Sequence, residues 1–197
     1  MEKTDKIISN YFTNQIRCLQ KMEESNEKIE EIVNTIIKAR DKENTIFTLG
    51  NGGSGSTASH FVSDLLKTSI TLKKKRFKAV SLTDNIPVIL AWANDKNFEH
   101  IFSEQLENNL RKGDIVIAFS GSGNSTNVIN AIKYAKKNGA VSIGITGMKG
   151  GKLAKLCDIV FVVPSDDMLT IESMHLVLCH CFTQMIRSYG KPMFDYK

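Results

Sequence analysis

No apolar run in this sequence approaches the length of a membrane span, which argues against an integral membrane protein. The N-terminus, MEKTDK, is charged and has no apolar stretch behind it, so no secretory signal is expected. The four cysteines, Cys18, Cys157, Cys179 and Cys181, form no CxxC pair and show no zinc-finger spacing. A reduced, cytoplasmic protein is the expectation. Internal repeats, low-complexity stretches and long linkers are absent as well. So are the common nucleotide signatures: there is no GxxxxGK[ST] lysine, and no GxGxxG with its acidic partner.

The net charge of +5 raises the question of nucleic acid. Much of the excess sits in Lys73-Lys74-Lys75-Arg76 and Lys78. No aromatic residues interleave with it, and no helix-turn-helix pattern stands out. The run reads as a solvated basic loop, with attraction of a phosphorylated substrate as the second account. Nothing here supports a nucleic-acid or membrane partner.

What is present is an α/β pattern. The 197 residues suit one domain, read as a helical extension over 1–43 and an α/β core over 44–190. In the extension, Ile8, Phe12, Ile16 and Leu19 recur at helical spacing. After a cap at Ser25 or Asn26, Ile29, Ile32, Val33, Ile36 and Ile37 make a second apolar face. The length and amphipathicity of the first helix favour assembly with other subunits.

From Asn44, short apolar runs alternate with helical stretches. The runs are 45–49, 79–82, 115–119, 141–145 and 159–163; the helices are 54–67, 86–93 with 98–110, 125–138, 152–156 and 168–189. This predicts a doubly wound parallel sheet of five strands, each strand buried on both faces.

Two glycine-serine turns fall at the carboxyl ends of strands, where such sheets bind ligands. The first lies in LGNGGSGSTASHFVSDL, residues 49–65; the second is SGSGNS, residues 120–125. Glycines allow a tight turn, and the following helix presents free N–H groups with the positive end of its dipole. One such turn is an ordinary βα connection. Two of the same kind suggest a seat for a phosphorylated sugar. Asn94-Asp95 reads as a turn pair that also suits a loop over such a pocket.

Ionisable groups stand near both turns. His60 and Asp64 are four apart and share one helix face. Glu172, His175 and His180 sit in the apolar run ESMHLVLCHC. Glu172 and His180 are eight apart, roughly 12 Å along a helix, so one subunit could hardly aim both at a single atom. His60, Asp64, Glu172 and His180 make a plausible set for zinc or a similar divalent ion.

Taken with ITGMKGGKLA at 145–154, these segments resemble the sugar isomerase (SIS) domain, and within it the phosphoheptose isomerases. The resemblance covers nearly the whole chain. It implies a five-stranded parallel sheet and a homotetramer with sites at subunit interfaces. It also implies conversion of sedoheptulose 7-phosphate to a D-glycero-D-manno-heptose 7-phosphate for surface polysaccharide synthesis. Residue by residue, Asn51, Gly52, Gly53, Asn94, Asp95, Ser120, Gly121, Ser122 and Ser125 fall on substrate-binding positions, and Ser54 of the first turn is added to them from the reading of that loop as a phosphate seat. Glu172 joins them there, and in the catalytic and metal sets as well. His60 and His180 fall on zinc-ligand positions, and His180 also matches the catalytic histidine. Asp64 stands where the family has a catalytic, metal-linked Glu; Glu172 stands where it has Gln, and Gly121 where it has Thr. A different reading of the same resemblance is a non-catalytic SIS protein that binds a sugar phosphate or a protein partner such as a replication initiator.

Overall fold

The computed structural model describes residues 2–195. Its centre is a five-stranded parallel sheet in the order β2-β1-β3-β4-β5. The strands are β1 (Thr45–Gly50), β2 (Lys78–Ser81), β3 (Ile115–Ser120), β4 (Val141–Thr146) and β5 (Ile159–Val162). Each lies within one residue of the sequence-based expectation, because an apolar β-branched run bounded by polar residues has few other uses. The expectation of burial on both faces holds for β3, whose six residues are all buried. It fails for β2, where Lys78 and Val80 are exposed while Ala79 and Ser81 are buried. β2 is an edge strand with one face toward solvent, and β5 at the other edge leaves Val162 exposed.

The strand pleat divides the core in two. On one face, Ile115, Ile117 and Phe119 of β3 pack with residues of α2 (Asn26–Asp41), α3 (Gly52–Ser63) and α8 (Met168–Ser188). On the other, Val116 and Ala118 pack against α5 (Ser103–Asn109) and α6 (Thr126–Lys137). Within the first of these, Phe61 of α3 bridges the sheet and α8: its ring meets Phe119 at 6.4 Å and Phe182 at 6.0 Å, both edge-on. Such pairs add about 1 kcal/mol each beyond area burial.

Two helices precede the sheet. α2 is part of the core, with Ile29, Ile32, Val33 and Ile36 buried. Ser25 takes its cap position but makes no side-chain cap bond. α1 (Glu2–Glu23) is docked only in part: Cys18 and Met22 are buried, whereas Ile7, Ile8, Phe12, Ile16 and Leu19 are exposed.

Several helix boundaries differ from expectation. α3 begins at Gly52 rather than Ser54, so Ser54 is a buried helical residue and not part of the turn. Gly52 holds φ +53°, a conformation that favours glycine and lets the helix start this early. The predicted 98–110 helix is broken into a 3₁₀ turn at Phe98–His100 and α5. α4 runs over Ile86–Asp95, so Asn94 and Asp95 form its last turn and not a loop. α7 (Leu153–Leu156) is a single turn.

The strand order puts the topological switch point between β1 and β3, since the chain winds outward to β2 from one and to β4 and β5 from the other. The two glycine-serine turns leave the sheet at those two neighbouring strands. Gly50 pairs in register with Phe119. A methyl on Gly50 would stand 2.9 Å from the Phe119 carbonyl oxygen, so the close approach of the strand ends depends on this glycine.

Candidate active site

α3 carries two different faces away from the switch point. Gly52, Gly55, Ser56 and Ser59 line a cavity of about 570 Å³ that also includes Thr83 and Asp84. Ile89 of α4 and Phe98 close its far side, while Asn94 and Asp95, which lie between them in sequence, are not among its lining residues. A neighbouring face, about a third of a turn round the helix, holds Gly53, His60 and, one turn on, Asp64, all turned toward α8.

α8 runs beside α3 in the same direction. Glu172 near its start lies against Gly53; His180, two turns later, meets His60. A methyl on Gly53 would come within 2.6 Å of the Glu172 carboxyl carbon, so the carboxylate occupies the space that glycine leaves. The His60 and His180 Nε2 atoms are 2.9 Å apart. Asp64 Oδ2 stands 3.5 Å from His60 Nε2 and 3.9 Å from His180 Nε2. Thr183, one turn beyond His180, directs its hydroxyl at the same oxygen over 3.5 Å.

These three residues offer two imidazole nitrogens and one carboxylate oxygen, all within 4.8 Å of one another. The imidazoles are half-exposed and the carboxylate is nearly buried. Imidazole and carboxylate donors at this spacing could hold a divalent metal ion. Glu172 belongs elsewhere within one chain: two turns of α8 separate it from His180, as the spacing predicts.

Asp64 also opens a π-helical turn. The Ser69 N–H donates to the Asp64 carbonyl at 2.8 Å, an i→i+5 bond that closes a π segment over Asp64–Thr68. Insertions of this kind re-aim side chains at functional sites. A second cavity of about 370 Å³ opens here, lined by Asp64, Thr68, His180, Thr183 and Arg187 among others.

The second turn is held by the 145–154 segment. The Leu153 N–H donates to the Gly123 carbonyl (2.9 Å), the Lys152 N–H to Asn124 Oδ1 (3.1 Å) and the Gly147 N–H to the Gly121 carbonyl (3.0 Å). Gly123 has φ +64° and rests on Gly150. Met168, at the start of α8, fills the space beside Gly121. Ser120 is buried, and Ser122 accepts from the Asn124 N–H at 3.2 Å. Ser125 heads α6 without a side-chain cap bond.

His175 is fully buried, tilted against Phe119 with ring centroids 5.9 Å apart. Neither of its ring nitrogens finds a hydrogen-bond partner. Burial pushes its pKa down to about 4; the nearby Thr146 backbone opposes this weakly, without hydrogen-bond geometry. His175 is therefore a neutral core residue that plays no direct part in the site.

Sequence reasoning missed Thr83, Asp84 and Phe98 at the cavity, Thr183 beside Asp64, and Asn127. The last had a signal, an amide in the otherwise apolar register of Val128, Ile129 and Ile132.

A doubly wound sheet with two glycine-serine turns at its switch point defines an α/β protein of the class that binds ligands at the carboxyl ends of its strands. The chain belongs to the SIS domain family, which matches residues 10–147. It is 37% identical over 180 residues to a phosphoheptose isomerase of Aliarcobacter butzleri, covering 91% of this chain and 95% of that protein. To a probable phosphoheptose isomerase of Thermoplasma acidophilum it is 40% identical over 161 residues, covering 81% of this chain and 87% of that one. The structure of a phosphoheptose isomerase from Neisseria gonorrhoeae superposes with a TM-score of 0.87 at 30% identity, over 93% of this chain and 98% of that one.

Proposed function

We propose that this chain is an aldose–ketose isomerase of phosphorylated sugars that converts sedoheptulose 7-phosphate to a D-glycero-D-manno-heptose 7-phosphate. The observation that carries the reading is the convergence of His60, Asp64 and, from α8, His180 at the far end of the helix whose head is read as the anion cradle. Isomerisation takes a proton from C1 of the ketose, passes through an enediol and returns a proton to C2. A carboxylate suits the carbon proton, and an imidazole suits proton exchange at the two oxygens. Asp64 takes the first role, with Glu172 as the other candidate carboxylate, and His180 takes the second.

Asn51, Gly52, Gly53 and Ser54, with Ser120, Gly121, Ser122 and Ser125, hold the sugar and its phosphate through N–H groups and hydroxyls. Asn94 and Asp95 are assigned to substrate on the family resemblance alone. Zinc or a similar ion fits His60, Asp64 and His180, and when bound supplies Lewis-acid polarisation of a substrate oxygen. Glu172 would reach such an ion only across a subunit boundary. The exposed apolar face of α1 supports a homotetramer with sites at its interfaces. All four cysteines are free, which agrees with a cytoplasmic protein, and among the described residues no helix is long and apolar enough to cross a membrane. The whole chain acts as one domain in this reading.

The test is incubation of the metal-supplemented protein with sedoheptulose 7-phosphate in D₂O. Deuterium is expected at C2 of the aldose and C1 of the recovered ketose; no incorporation at any metal content overturns the assignment. A second expectation concerns Gly53→Ala. The backbone there accepts alanine, which favours a helix by about 0.5–1 kcal/mol. Thermal unfolding should show equal or higher stability, yet the methyl displaces Glu172, so KM for the sugar phosphate should rise. An unchanged KM would remove Glu172 from the substrate site.

A further inference from the structure

The side chains of Asn51 and Asn127 form a closed amide pair across the switch point. Asn51 Nδ2 donates to Asn127 Oδ1 at 2.9 Å, and Asn127 Nδ2 donates back to Asn51 Oδ1 at 2.8 Å. The Val128 N–H also donates to Asn127 Oδ1, at 2.9 Å. That third bond determines which way the amides face: Asn127 must turn its oxygen toward Val128 and its second amide atom toward Asn51. Asn127 is 3% exposed, so its half of the pair is buried, while Asn51 is half-buried at the edge of the cavity.

The pair has a consequence for α3. Asn51 is the cap residue of that helix and holds the extended backbone, φ −106° and ψ 150°, from which an asparagine ordinarily accepts an N–H of the first turn. It makes no such bond. The cap side chains of α4 and α8 behave in the ordinary way: Asn85 accepts from the Val88 N–H, and Asp167 from the Thr170 N–H. At α3 the amide is drawn aside by Asn127, so the first N–H groups keep no intramolecular cap.

We infer that Asn127 is a positioning residue: it holds the Asn51 amide off the head of α3, keeping those N–H groups open for an anionic ligand, and ties the first turn to the second. Its effect on ligand binding rests on the reading of this site as a sugar-phosphate seat; its effect on Asn51 does not. Without Asn127, the Asn51 side chain turns back, caps α3 and competes with the ligand.

The experiment is a double-mutant cycle of Asn127→Ala and Asn51→Gly, glycine being a tolerated cap that has no side chain to compete. Amide hydrogen exchange without ligand is followed at Gly53 and Ser54. In Asn127→Ala, exchange of one of them is expected to slow by about fivefold, the scale of one cap bond. In the double variant it returns to the value in Asn51→Gly alone. Binding of inorganic phosphate and of sedoheptulose 7-phosphate is measured alongside. Asn127→Ala should raise Kd and KM by about fivefold with kcat within twofold, and should add less than twofold in the Asn51→Gly background. Unchanged exchange in Asn127→Ala, or an equal loss of affinity in both backgrounds, overturns the inference. Slowed exchange with no effect on phosphate or substrate binding upholds the positioning of Asn51 and instead overturns the reading of α3 as the phosphate seat. Asn127→Ser, which keeps a polar atom near the Val128 N–H but is too short to reach Asn51, takes the place of Asn127→Ala if that variant does not fold.

Discussion

Asp64→Asn is expected to lower kcat by about two to four orders of magnitude, the usual contribution of a positioned general base, while the variant folds like the parent. Asparagine has the same shape and fits the same nearly buried site, where Asp64 is 7% exposed. It cannot take up a proton at neutral pH, and it removes the negative charge from beside the His60 and His180 nitrogens. The same variant should bind zinc more weakly, since an amide oxygen is a poorer ligand than a carboxylate. Steady-state turnover of sedoheptulose 7-phosphate and a zinc titration check both effects. A kcat within threefold of the parent, with intact far-UV circular dichroism, would move the carbon proton from Asp64 to Glu172.

His175 has the second large effect expected, on stability rather than turnover. In the unfolded chain its pKa is near 6.5; in the folded protein burial holds it at about 4. Between those values the unfolded state binds more protons, so stability rises with pH across this window. It is fully present above about pH 6.5 and is lost progressively toward pH 4. The full loss is roughly 3 kcal/mol, two and a half pKa units at 1.36 kcal/mol each. His175→Leu removes the titration along with two unpaired buried nitrogens. Urea denaturation at pH 4.5 and 7 should therefore show a smaller pH dependence in the variant than in the parent. Equal slopes would mean that His175 finds a partner, or water, in solution.

The core strands were legible because their signal is local. Runs such as IVIAF at 115–119 are β-branched and apolar, and nothing beyond the next few residues is needed to read them. The exposure of Val80 and Val162 was not legible, because an edge strand and a central strand differ only in what lies beside them. The early start of α3 was hidden for a different reason: GNGG is equally good as a turn, and only the positive φ of Gly52 shows where the turn ends. Asn94-Asp95 suits a turn or a loop on residue type alone, yet α4 carries the pair as its final turn before Lys96 leaves the helix.

The candidate site divides in the same way. Read alone, the sequence places residue types at helical spacings: glycines at the head of α3, His60 and Asp64 on one stripe, Glu172 and His180 two turns apart. Those are properties of one element's own geometry. Packing between distant elements set α3 and α8 side by side, so that Glu172 meets Gly53 while His180 meets His60. It also put the cavity and the His-Asp-His cluster on separate, adjacent faces of α3, and let Asn127 draw Asn51 away from its cap. Helical spacing fixes a residue's height and angle on its own axis. Which neighbour it faces depends on packing between elements far apart in the chain.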